Sequence, residues 1–120
     1  MQAKRYIGPS KRSFVEAKKI EAYLGFALRA KKLVMGLDNI EAIKKGVYCI
    51  LLDEDAQKNS QKQARRVGER LHCPLLIVKG LGALVKREGC KVAALQDKSL
   101  ADAILAEAAK QGISIEGAIG

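Results

Sequence analysis

Apolar positions along the chain change period, and the change separates helices from strands. Ile20, Leu24, Ala27 and Leu28 recur at three- and four-residue intervals among Lys18, Lys19, Glu21 and Arg29, which predicts an amphipathic helix ending near Ala30. Its opening, Ser13-Phe-Val-Glu16, has the spacing of a capping box, in which the hydroxyl accepts from the amide of residue 16 and Glu16 reaches back. Leu33–Met35 is a candidate brief strand. Asp38 then reads as the N-cap of a short second helix with Ile40 and Ile43 inward, Lys44 and Lys45 in its last turn, and Gly46 as its stop. Three later runs lose the helical period: Val47–Leu52, Leu75–Val78 and 91–96. Their apolar character predicts neighbouring strands covered on both faces. A third helix over 60–71 is predicted with Ser60 as cap and Ala64, Val67 and Leu71 inward. The turn Gly80-Leu-Gly82 leads into a helix over 83–88. A last helix, capped by Ser99-Leu-Ala-Asp102, carries Leu100, Ala101, Ile104, Leu105 and Ala108 inward and ends at Gly112. Strands alternating with helices predict an α/β domain with helices on both sheet faces.

Residues 1–12 have no apolar period and hold Gly8, Pro9 and four cations, and they read as a flexible basic arm. Residues 13–112 then form a single domain. Residues 113–120 are a tail of alternating polarity, able to add an edge strand, pair with another copy or stay disordered. With 48% hydrophobic residues the chain has a core to bury without staples. Three Tyr, two Phe and no Trp make that core aliphatic and leave few platforms for stacking bases. The absence of a span-length apolar run and of a signal-like N-terminus predicts a soluble protein of the cytoplasm, with no membrane partner. Cys49, Cys73 and Cys90 are odd in number and share no CxxC spacing, so buried, reduced thiols are expected rather than disulfides or a zinc site.

The formal charge is +9, and residues 1–32 carry nine Lys and Arg against two Glu. Such concentration points to a polyanionic partner, with a solvated basic surface as the bland alternative. Catalytic constellations are thin. His72 is the one histidine and stands beside Cys73 in sequence only. Asp53, Glu54 and Asp55 follow a buried strand, where with Asp97 they form an oxygen-ligand set for magnesium, or else a solvated turn capping the next helix. No phosphate-binding loop accompanies them. Gly80-x-Gly82 resembles a dinucleotide turn, but Val85 occupies the third glycine position. No cofactor, metal, small-molecule substrate or catalytic residue is therefore expected. The segment from Gly36 to Lys45 says more. A glycine before a short helix leaves free amides at a positive dipole end, with Lys31 and Lys32 just ahead of it. Asn39 donates to and accepts from base edges, and the Asp38 carboxylate accepts from the N1–H and amino group of guanine. Since carboxylates repel phosphate, Asp38 has an RNA role only as a base reader; the alternative is a helix cap and nothing more.

Three stretches, in order, resemble one family. Residues 24–36, LGFALRAKKLVMG, resemble the LGLA-x-RAGKL-V-x-G opening of bacterial YlxQ-like proteins. Residues 50–62, ILLDEDAQKNSQK, resemble their LLAEDAS-x-NT-x-K stretch, and Leu81-Gly82 matches the Leu-Gly of their specificity loop. YlxQ-like proteins are members of the ribosomal L-seven-Ae / L-thirty-e family, and the resemblance spans roughly residues 20–105. The resemblance implies a three-layer α/β/α sandwich with a mixed four-stranded sheet. It also implies non-enzymatic binding of structured RNA, a kink-turn-like or ribosomal RNA, in bacterial translation. Carried over, the base-reading positions are Gly36, Asp38 in place of the family's Asn, and Asn39 in place of its Glu. Lys58, Asn59 and Lys62 fall in the acidic-turn stretch, and Lys79, Gly80, Leu81 and Gly82 in the loop; Lys31 and Lys32 join as phosphate contacts. The chain departs from the family between Gly36 and Gly46, where it runs one residue shorter. The family's Lys becomes Ala42, or Glu41 counted back from Gly46, and the loop before Leu81 is shorter too. A protein-assembly module that has kept the fold and lost the RNA site is the alternative function, and a magnesium-dependent enzyme using the Asp53–Asp55 turn the third.

Overall fold

The unbroken apolar runs become strands because each has two faces to bury. In the computed structural model, which describes residues 19–117, β2 (Cys49–Asp53) and β4 (Val92–Leu95) are buried at every position. β3 (Pro74–Val78) is buried at Leu75, Leu76 and Val78. The three are neighbours, as expected. β2 pairs parallel with β3, from Ile50 opposite Leu75 to Asp53 opposite Val78, and antiparallel with β4, from Cys49 opposite Leu95 to Leu52 opposite Val92. β1 (Leu33–Met35) joins β4 antiparallel, and β5 (Ile115–Gly117) joins β3 antiparallel, giving the order β1-β4-β2-β3-β5.

The period of two along β2 distributes its side chains between two cores. Cys49 and Leu51 pack with Leu76, Ala93 and Leu95 under α1 (residues 19–29), α4 (Leu81–Leu84) and α5 (Lys98–Gln111). Ile50 and Leu52 pack with Leu75, Val92 and Ala94 under α2 (Leu37–Glu41) and α3 (Lys58–Leu71). A mixed sheet with helices on both faces is an α/β/α sandwich. It has five strands where four were expected, because part of the tail is built into the sheet. Ile115 packs against the first core, and Glu116 receives Arg65 of α3 through Nε at 2.7 Å and Nη2 at 3.1 Å.

Element ends differ from the sequence reading for local reasons. The second helix spans Leu37–Glu41 and stops well short of Lys45, with Gly36 rather than Asp38 as N-cap. The Arg70 guanidinium of α3 donates to the Glu41 and Ile43 carbonyls, satisfying acceptors that further helical turns would otherwise take up. α3 begins at Lys58, so Ser60 lies inside it and Gln57 takes the cap position. α4 is the single turn Leu81–Leu84 rather than 83–88, because the Arg87 amide turns back to the Gly82 carbonyl at 2.8 Å. α5 is capped by Asp97, whose Oδ1 accepts from the Leu100 amide at 2.9 Å, and not by Ser99. Its stop at Gly112 is as expected. The basic arm over 1–12 and the Ser13–Glu16 capping box lie outside the described residues. No helix among the described residues is long and apolar enough to cross a membrane.

One buried carboxylate ties the layers together at the end of β2. Asp53 is 3% exposed, its Oδ1 accepts from the Asp55 amide at 2.7 Å, and its Oδ2 accepts from the Leu81 amide at 3.0 Å. The first bond shapes the β2–α3 turn and the second fixes the start of α4.

Two stability predictions follow from these polar contacts. Asp53→Ala leaves the Leu81 amide buried without an acceptor and should cost roughly 1–3 kcal/mol, while Asp53→Asn, which keeps one acceptor oxygen, should cost less. Urea midpoints at unchanged slope measure this, and a parental midpoint for Asp53→Ala would assign the Leu81 amide another partner. The second concerns Glu116, whose carboxyl is held below its ordinary range by the Arg65 hydrogen bond. A lowered folded-state value stabilises the fold above the ordinary carboxylate range, and that gain disappears as pH falls through the lowered value. Both side chains are 40% exposed, so screening keeps the pair within about 1 kcal/mol. Glu116→Gln should lower the urea midpoint slightly at neutral pH and converge with the parent in acid; equal losses at both would show that the ion pair is not the source.

Candidate nucleic-acid interface

The pairing directions decide which loops meet. The carboxyl ends of β1, β2 and β3 share one end of the sheet with the amino end of β4. Four connections leave there: Gly36 into α2, residues 54–57 into α3, Lys79-Gly80 into α4, and residues 85–91 from α4 into β4. Gly36, Asp38, Asn39, Lys58, Asn59, Lys79, Gly80, Leu81 and Gly82, distant in sequence, therefore gather at one end, with Lys62 one turn further along α3.

Each of these has a local reason for its place. Gly36 turns β1 into α2 with φ near +95°, a conformation that costs glycine little. Its amide donates to Val92 and its carbonyl accepts from Ile40. Asp38 is exposed in the first turn of α2 and makes no cap bond. Asn39 donates from Nδ2 to the Met35 carbonyl at 2.9 Å, so part of its amide is already engaged within its own turn. Leu81 is fully buried, an anchor rather than a contact. At Gly82 a Cβ would stand 2.9 Å from the Arg87 carbonyl oxygen, so the missing side chain lets residues 87–91 close over α4.

That closing loop separates two clefts. One, of about 370 Å³, lies between it and Gly36, Asn39 and Ser60. The other, of about 480 Å³, lies between it and Asp53, Asp55, Gly80 and Gly82. Arg87, Glu88 and Lys91 line both. Lys86 is paired with Glu21, and Lys91 lies 4.0 Å from Asp53. Arg87 has no carboxylate partner among the described residues. Cys90, buried between the clefts, donates from Sγ to the Val92 carbonyl at 3.4 Å. Burial pushes its thiol above its ordinary value, more than the Val92 bond and Arg87 offset, so it is a poor nucleophile. Sequence reasoning missed Ser60, Arg87, Glu88 and Lys91. The sequence pattern places residues 87 and 88 in a helix, and only the strand order brings this loop beside Gly36.

Two parts of the expected site lie elsewhere. Lys31 and Lys32 precede β1, at the opposite end of the sheet, where the Lys32 carbonyl accepts from the Gln96 amide at 2.7 Å. The three residues of β1, at about 3.3 Å each, keep them from the Gly36 turn. Asp97 also stands at that far end, capping α5, so it does not join Asp53–Asp55. Among the described residues no group of three or more His, Cys, Asp and Glu is gathered to hold a metal ion.

No family model matches the chain, and no curated protein does. Among solved structures it is similar to a protein of unknown function from Bacillus halodurans C, with a TM-score of 0.64 and 21% identity over 74% of this chain and 95% of that one. At that identity the likeness speaks for the α/β/α fold alone.

Proposed function

We propose that this protein is a non-enzymatic binder of structured RNA, a kink-turn-like or ribosomal RNA, of the L-seven-Ae / L-thirty-e type, acting in the cytoplasm in connection with translation. The observation that carries this reading is the convergence of three separate stretches, Gly36–Asn39, Lys58–Lys62 and Lys79–Gly82, on one end of the sheet. The chemistry there suits unstacked bases flanked by phosphates. Asp38 offers exposed acceptor oxygens, and Asn39, with one Nδ2 hydrogen on Met35, retains its acceptor oxygen and a second N–H. An exposed carboxylate favours the N1–H and amino edge of guanine, which presents two donors. Lys58, Lys62, Lys79, Arg87 and Lys91 supply positive charge for the backbone. Asp53 has both carboxylate oxygens on backbone amides, which supports binding over metal chemistry. The three cysteines are free and buried, with Cys49 pushed up to about 12 and Cys73 to about 11 chiefly by burial, which suits a reducing compartment.

A protein-assembly module on the same fold is the second reading. It is favoured by the short α2 and the partly engaged Asn39 amide. The two readings part in one assay. Changing Asp38 and Asn39 together to Ala should reduce the preference for a kink-turn RNA over plain duplex by roughly 1–3 kcal/mol and leave the salt dependence alone. Asp38 is not the cap of α2 and Asn39 gives up one exposed bond to the Met35 carbonyl, so folding should survive, as circular dichroism would verify. A folded double variant that discriminates as the parent does, or a parent that binds neither RNA, would favour the assembly module.

A further inference from the structure

The loop-end site leaves unexplained a row of charge along α3. The helix turns Ala64, Val67 and Gly68 to the sheet, and its outer face carries Lys58, Lys62 and Arg66 at four-residue intervals. Four residues rise about 6 Å and advance about 40° around the axis, so the row winds gently along the helix. That step is comparable with the spacing of neighbouring phosphates on one strand. None of the three cations pairs with a carboxylate among the described residues, whereas Arg65, Lys86, Lys91 and Lys98 each do. The row starts beside the cleft wall at Ser60. It ends at Arg70, whose guanidinium holds the Glu41–Ile43 segment and so brings the exposed Lys44 and Lys45 alongside. Asp38, Glu41 and Glu69 are the acids of this layer, outnumbered by its cations.

We propose that the outer face of α3 is a track for an RNA stem leaving the loop end, with Lys62, Arg66, Lys44 and Lys45 meeting successive phosphates. It rests on the RNA reading of the loop end. An acidic protein partner is disfavoured by what the face lacks, since protein interfaces are built around an apolar core. The exposed large apolar residues among those described, Phe26 and Tyr48, lie on α1 and just before β2, away from α3. Phosphate contact needs no such anchor and gains directly from unpaired, solvated cations.

The test uses the full chain and three probes: a kink-turn RNA with a long stem, the same RNA trimmed to short stems, and poly-aspartate. The variant Arg66→Ala/Lys44→Ala/Lys45→Ala leaves every loop-end residue in place. On the long-stem RNA its slope of log affinity against log salt should fall by roughly 2–3 units, since each duplex phosphate contact contributes about 0.9. The trimmed RNA should bind variant and parent alike, and the preference for kink-turn over duplex should persist. An unchanged slope on the long stem overturns the track. So does an equal loss on the trimmed RNA, or poly-aspartate weakened as much as RNA, which would mark an unspecific anionic contact. A fallen slope in a protein whose Asp38/Asn39 variant shows no loss of discrimination supports the track and removes the base-reading site. A parent that binds neither RNA removes both.

Discussion

A carboxylate in a protein interior loses most of its hydration, a cost of several kcal/mol that only well-placed donors recover. Asp53, 3% exposed at the last position of β2, recovers it from the amides of Asp55 and Leu81. The arrangement works in both directions, because those amides must stay where the carboxylate needs them. One bond sets the turn that launches α3 on one face of the sheet, and the other sets the first residue of α4 on the opposite face. The two clefts are walled by what these turns carry. The loop from Arg87 to Lys91 depends in turn on α4, since it closes over Gly82 with its amide on the Gly82 carbonyl.

Residues that answer to burial on two faces were legible in the sequence, and residues that answer to a single distant partner were not. Cys49–Asp53 and Val92–Leu95 read as central strands because an unbroken apolar run has no polar side to offer water. The same logic recovered the inward faces of α3 and α5. It failed on the length of α2, which depends on the Arg70 side chain twenty-seven residues downstream of Ile43. It failed on the cap of α5 as well, where Asp97 and Ser99 are both competent by type and only the backbone path selects Asp97. The tail stayed open because alternating polarity suits an edge strand, pairing with another copy or disorder equally. Ile115 against the core and Arg65 on Glu116 make that choice.

The candidate site shows the same division. Gly36, Asp38 and Asn39 were found by local chemistry, and the loop at Gly80–Gly82 by its punctuation. Lys31 and Lys32 were joined to them by closeness in sequence, and a strand of three residues is enough to defeat that inference, because it crosses the whole sheet. Arg87 and Lys91 escaped for the opposite reason. Some fifty residues separate them from Gly36, and only the antiparallel pairing of β1 with β4 cancels that separation.

The charges at the loop end and on α3 are sorted in a way that bears on the proposed function. Asp38, Asp53, Asp55 and Glu88 stand among the cations of the loop end, a mixture that suits recognition of donor-bearing edges and resists dense phosphate. Among the described residues only Asp53 of these is tied to backbone amides, and the carboxylates of Asp38, Asp55 and Glu88 are exposed to solvent. The outer row of α3 is cationic until Glu69 in its last turn, a composition that says nothing about bases and suits backbone. On the proposed reading, discrimination and adhesion are thus assigned to different elements. They respond to different variables, the first to base identity and the second to salt. A surface kept only for solubility has no need of this separation, because interspersed charges of both signs along α3 would serve it as well.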